Sequence, residues 1–86
     1  MNDNQPQMTP EQHTAMAEVA WYFWPREEGV RKPGSFHHAL IQALAQADER
    51  NYRRLYEAFP EYAWPFRLAV READARQHIL EAINGK

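Results

Sequence analysis

The four histidines are the side chains of this chain that are best suited to chemistry near neutral pH, because imidazole exchanges protons and binds divalent metals there. His37 and His38 are adjacent, so on a helix they point about 100° apart and do not chelate one ion as a pair four residues apart does. His13 and His78 have no second ligand near them in the sequence. We therefore predict that all four face solvent or cap helices, and that the chain binds no metal and no other cofactor.

The carboxylates fall into positions that favour ordinary helix pairing. Glu–Arg pairs four residues apart are Glu49 and Arg53, Arg53 and Glu57, and Glu72 and Arg76. Each such pair stabilises a helix by only about 0.2–0.5 kcal/mol. Acid–base catalysis needs two groups with separated pKa values in an apolar cleft, and the spacing indicates no such pair. The absence of cysteine excludes thiolate catalysis and cysteine-based zinc sites. We expect a protein that is not an enzyme.

The arginines of the third and fourth predicted helices are the candidates for contact with phosphates: Arg50, Arg53, Arg54, Arg67 and Arg71. If they converge, helices 2 and 3 would also fit a helix-turn-helix. However, Asp48 and Glu49 lie where a recognition helix would meet DNA, and the formal net charge is −2. We favour a solvated, salt-bridged face; contact with an acidic protein surface and contact with nucleic acid are the alternatives.

Residues 21–24 place four aromatic side chains in a row, and such a row sweeps nearly a full helical turn and cannot face one core. The stripe that we predict to face the core consists of Met16, Val19, Ala20 and Phe23. Relative to this stripe, Trp21 points about 150° away and Trp24 about 90° to one side. Either helix 1 or helix 4 is central in the bundle, or helix 4 bends near Asp74, or the tryptophans form an exposed patch.

Capping and breaking signals give the element boundaries. Thr9, Pro10 and Gln12 form a capping box that begins helix 1, which we predict to run from Pro10 to Trp24, followed by a charged loop over residues 25–34. Helix 2 follows a predicted Ser35 cap, and its predicted core stripe is Phe36, Ala39, Leu40, Ala43, Leu44 and Ala47.

The C-terminal half predicts two further helices. Asp48 caps helix 3, whose core stripe is Tyr52, Leu55, Tyr56 and Phe59. Pro65 is costly inside a helix, so we predict one short turn over 60–64 and a main helix 4 from Pro65 to Ile83, which ends at Asn84 and Gly85. The fold class is all-α, a compact bundle of four or five short helices.

Length and composition set the remaining expectations. We predict a flexible polar tail over residues 1–8 and a single domain over 9–86. The first residues lack the pattern of a signal peptide, and no apolar run is long enough to span a membrane. Because cysteine is absent as well, we expect a cytoplasmic protein with no membrane contact.

The segment PGSFHHALIQALAQADERNYRRLYEAFPEY, residues 33–62, resembles a small helical protein family of unknown function found in phages and prophages, especially of high-GC actinobacteria. The matching features are PGSF at 33–36, AD at 47–48, Asn51, Leu55, and FP at 59–60. The resemblance covers about a third of the chain and assigns no catalytic residue. It implies that the protein binds a host or phage protein, or occasionally DNA.

These observations favour a non-enzymatic interaction module that binds another protein or a second copy of itself. The contact surface that we predict consists of Trp21, Trp24 and Trp64, rimmed by Arg26 and Arg31 of the charged loop, because Trp and Arg are enriched in interface hot spots. Nucleic-acid binding by the arginines of helices 3 and 4 is the alternative function, and a structural role in a virion is a third.

Overall fold

The computed structural model describes residues 8–85, which form five helices. They are α1 (Pro10–Phe23), α2 (Ser35–Gln46), α3 (Glu49–Ala58), α4 (Pro60–Arg71) and α5 (Ala75–Asn84). Over this range there is no strand, and the all-α prediction is confirmed. No helix within it is both long and apolar enough to cross a membrane. Residues 1–7 of the predicted tail lie outside the described residues, whereas Met8 already packs against the core.

The N-terminal cap of α1 confirms the predicted capping box. The Gln12 amide donates to the Thr9 hydroxyl over 3.1 Å, and the Thr9 amide donates to the Gln12 side-chain carbonyl over 2.9 Å. Two helix-end amide groups are therefore satisfied within the first turn. The helix ends one residue earlier than predicted, because Trp24 already has a non-helical conformation before Pro25.

Helix α1 is the centre of the bundle, with residues 15–20 all buried. On one side, Ala15 and Val19 pack in a core with residues of α2, α3 and α4. On the other side, α1 packs against α5 in a second core, whose buried members are Met16, Ala17, Ala20, Ala75, Ile79 and Ile83. Helix 1 is thus apolar on two sides because it is buried between neighbours, one of the explanations that the sequence left open. The predicted single core stripe was wrong, since Val19 and Phe23 pack in the first core and Met16 and Ala20 in the second.

Helix α2 differs from its prediction at the cap and on the buried face. Gly34 is the N-cap residue and Ser35 is already helical. The buried residues are Leu40, Ile41 and Leu44, while Phe36 is 64% exposed and the predicted stripe members Ala39 and Ala43 face solvent. The bulkier residues face the core because they bury more apolar area than the alanines.

The prediction of a main helix 4 from Pro65 to Ile83 was wrong. Helix α4 begins at Pro60 and continues through Pro65, and the helical structure is interrupted at residues 72–74 instead. Pro65 has no amide hydrogen and costs the helix one hydrogen bond, but its ring is fully buried, which offsets that cost. Glu72 has an extended conformation. The break turns Ala75 and Ile79 onto α1, so that the chain direction and the apolar stripe change together.

The charged loop is confirmed as a loop and is held by residues at both ends of α5. The Asn84 side-chain amide donates to the Glu28 carbonyl over 3.0 Å, and Arg76 pairs with Glu27. The predicted partner of Arg76, Glu72, lies in the break instead. Gly29 has φ +88°, and a β-carbon there would overlap the Asn84 side chain. The α5 end itself follows the prediction, with Gly85 in the left-handed conformation.

Enlarging a small residue between the two cores tests the central position of α1. We expect Ala20→Leu, at a side chain with no solvent exposure, to lower the free energy of unfolding by about 1–3 kcal/mol through overpacking. Ala43→Leu, on the exposed face of α2, is the matched control and should change it by less than about 0.5 kcal/mol. Urea denaturation followed by circular dichroism measures both. Equal effects would contradict this packing.

Candidate functional site

Two of the three predicted tryptophans are half-buried in the packing at the C-terminal end of α1. The Trp21 ring meets the His38 ring edge-on, with centroids 5.7 Å apart. Trp24 packs against the core shared by α1 and α5 and lies 5.6 Å from the Phe23 ring. Each tryptophan therefore has neighbours within its own chain.

Trp64 lies elsewhere, on α4, and half of its side chain is exposed. It borders a groove together with Met8, which precedes α1, and Met16 of α1. The two loop arginines are exposed, but Arg31 is directed toward Glu18, with its Nε 3.8 Å from Oε2. The structure thus separates the predicted patch into the α1 end and the Trp64 surface.

We call the concavity beside Trp64 the Trp64 groove. It has a volume of about 740 Å³ and lies between the start of α1, the α3–α4 corner and the end of α5. Its main apolar lining residues are Met8, Met16, Tyr56, Pro60, Trp64 and Pro65. Glu11 and Glu61 are the charged residues of its lining among the described residues. The groove therefore combines an apolar floor with an acidic rim.

Tyr56 contributes to this groove because it does not occupy the core position predicted for it. Tyr52, one turn earlier, is buried between α3 and α4 and donates its hydroxyl to the Ala63 carbonyl over 2.9 Å. Tyr56 remains 42% exposed at the edge of the helix pair. The regular spacing of the α3 stripe could not reveal this, because the core covers Tyr52 and partly covers Leu55 and Phe59 but leaves Tyr56 at its edge.

Glu18 is the buried charged residue within the described chain, at 4% exposure. Its Oε1 accepts a hydrogen bond from the Tyr62 hydroxyl over 2.6 Å, and His37 Nδ1 lies 3.3 Å from the same atom. Glu18 was not among the predicted site residues. Its signal was a single carboxylate inside the run AMAEVA, residues 15–20, whose other members are apolar.

The Glu18 cluster joins four parts of the fold, since Tyr62 lies on α4, His37 on α2 and Arg31 in the charged loop. Burial, and then the hydrogen bond to Glu18, raise the pKa of the Tyr62 phenol above its ordinary value of 10.0. The His37 ring lies 4.8 Å from the Tyr62 ring. These contacts satisfy a buried carboxylate and position three elements around α1.

His78 is exposed, as predicted, and the other histidines have roles in packing and capping. His13 Nε2 lies 2.7 Å from the Ile83 carbonyl; a carbonyl only accepts, so this nitrogen carries the proton and caps the end of α5. This capping role agrees with the prediction, whereas His37 and His38 are half-buried against aromatic rings. Within residues 8–85, no group of three His, Asp or Glu side chains is placed to hold a metal ion.

The five predicted phosphate-binding arginines are partly neutralised by one carboxylate. Arg67 donates two hydrogen bonds to Glu49, at 2.9 and 3.3 Å, and its guanidinium lies 3.6 Å above the Tyr52 ring. Arg53 Nε is 3.8 Å from Glu49, as the spacing predicted. The hydrogen bond from Arg67 lowers the pKa of Glu49. Arg50, Arg54 and Arg71 are exposed and make no ion pair with the described residues.

Comparisons with protein-family models, curated proteins and solved structures give no match. The candidate site is therefore defined by geometry alone.

The burial of the Tyr62 phenol, together with its hydrogen bond to Glu18, makes stability depend on alkaline pH. Because the folded-state pKa of Tyr62 is raised, its contribution is complete below pH about 10 and is lost as the pH rises above that value. Tyr62→Phe should flatten the fall in unfolding free energy between pH 9 and 11. At neutral pH it should cost about 1–3 kcal/mol, because Glu18 loses a donor.

Urea denaturation at several pH values measures this dependence. Tyr56→Phe, which changes an exposed ring, is the control and should keep the wild-type profile. An unchanged alkaline profile in Tyr62→Phe would show that the folded protein does not hold the Tyr62 phenol in its neutral form.

Proposed function

We propose that this protein is a non-enzymatic interaction module that binds a protein partner in the Trp64 groove. The observation that carries the proposal is the placement of two large aromatic side chains, Trp64 and Tyr56, at one concavity with 50% and 42% exposure. Tryptophan and tyrosine are enriched in interface hot spots. Trp21 and Trp24, by contrast, have neighbours within the chain.

The size and lining of the groove support this function. A volume of about 740 Å³ falls in the range of concave sites that bury large apolar groups. Met8 and Met16 lie in the lining, and methionine adapts its shape to different ligands. Such a site holds one or two bulky side chains of a partner.

The resemblance of residues 33–62 to phage and prophage proteins provides a context for the partner. We propose a host or phage protein, bound in the cytoplasm, since the chain has no cysteine and so needs no oxidising compartment. The groove lies mainly outside the matched segment, because α1 and α5 form two of its sides. The partner would then be specific to this chain rather than common to the resembled family.

Trp64→Ala tests the proposed function. We expect the variant to fold with a loss of about 1 kcal/mol or less, because half of the ring is already in water, and to lose proteins that the wild type captures from a lysate of its source cells. Val70→Ala, which removes an exposed apolar side chain from the same helix, should capture them normally. Quantitative mass spectrometry measures the captured proteins. Equal capture by all three would contradict the proposal.

A further inference from the structure

We infer that the Trp64 groove takes a peptide segment that carries a bulky apolar side chain next to lysine or arginine. This inference rests on the proposed function and adds the chemistry of the partner. The observation behind it is the sign of the groove's charge: its charged lining residues are the two carboxylates of Glu11 and Glu61, and no Lys or Arg of residues 8–85 lines it.

The two carboxylates also lie in the first turns of α1 and α4, where they interact favourably with the positive ends of the helix dipoles. This local effect does not cancel their charge. A helix N-terminus is equivalent to about +0.5 elementary charge, so two termini leave about one net negative charge at the rim. A basic side chain of a partner would be attracted to that charge while its apolar neighbour enters the groove.

Other cations are directed away from this rim. Arg67 is paired with Glu49 above Tyr52. It lines a second hollow beside Trp64, together with Arg71 and Glu72. Arg67 and Arg71 therefore lie at this second hollow and not in the lining of the Trp64 groove.

The chain's own N-terminal residues are a poor match for the groove on composition. Residues 1–7, MNDNQPQ, contain no lysine or arginine and only Met1 as an apolar side chain. Residues 1–7 therefore do not pair a basic residue with a bulky apolar residue, which is the pattern that we propose for the bound segment. A separate polypeptide is therefore the occupant that we propose.

Fluorescence anisotropy with synthetic labelled peptides tests this inference. Three fourteen-residue peptides share a Phe and a Leu four positions apart, and their flanking residues are all Lys, all Gln or all Glu. We expect the Lys peptide to bind the full chain at least tenfold more tightly than the Glu peptide. Its affinity should fall as salt rises from 50 to 500 mM, because the attraction is screened.

Two variants locate the effect. Glu11→Gln combined with Glu61→Gln should reduce the preference for Lys over Gln peptides at least threefold. Trp64→Ala should weaken both peptides at least tenfold, and Val70→Ala should weaken neither. Circular dichroism confirms that each variant is folded.

The following results contradict either the inference or the proposed function. Equal binding of the Lys, Gln and Glu peptides, binding of none, or preference for the Glu peptide overturns the inference. So does a dimer, detected by light scattering, in which Trp64→Ala abolishes association, because a second copy then fills the groove. The proposed function fails separately, if Trp64→Ala captures the same proteins from the lysate as the wild type and Val70→Ala do.

Discussion

The fold depends on the burial of one helical segment from every side. Residues 15–20 of α1 contribute to both cores, one shared with α2, α3 and α4 and one shared with α5. Ala15, Ala17 and Ala20 are small enough for neighbouring helices to approach closely, and dense packing then leaves little freedom for α1 to shift. In a chain of this size, sharing one helical segment between two cores increases the fraction of the surface that is buried on folding.

Glu18 favours one rotation of α1 within the bundle over the others. A buried carboxylate is costly unless hydrogen bonds and opposite charges surround it. Here the donor comes from Tyr62 on α4, with His37 from α2 and Arg31 from the loop close by. The carboxylate is satisfied only when α1 has its native rotation and the other elements are in place. The cluster therefore favours this arrangement over others of equal hydrophobic burial.

Local signals predicted the parts of the fold that local energetics decide. The Thr9 capping box, the Asp48 cap and the Gly85 end are each determined by a few neighbouring residues. The errors arose where a tertiary contact outweighed a local preference. Pro65 remains in α4 because its ring is fully buried. Helix α2 turns Ile41 inward, which was not predicted, and leaves the predicted Ala39 exposed, because the bulkier side chain buries more apolar area.

The candidate site was harder to predict for a related reason. A helical wheel shows that an aromatic residue lies outside the predicted core stripe of its helix, but it does not show whether another helix covers that residue. Trp21 lies outside the predicted core stripe of α1 and packs against His38. Tyr56 belongs to the predicted core stripe of α3 and is exposed. The apolar side chains that the core does not use are scattered: Phe36, Val70, Tyr56 and Trp64.

Of these four, Phe36 lies beside Phe59 and His37, and Val70 lies beside Arg71 at a different hollow. Only Tyr56 and Trp64 border the same groove among the described residues. Exposed single apolar side chains are normal on small proteins and need no functional explanation. Two that converge on an acidic-rimmed concavity, next to adaptable methionines, form a surface whose shape and charge both restrict what can bind there.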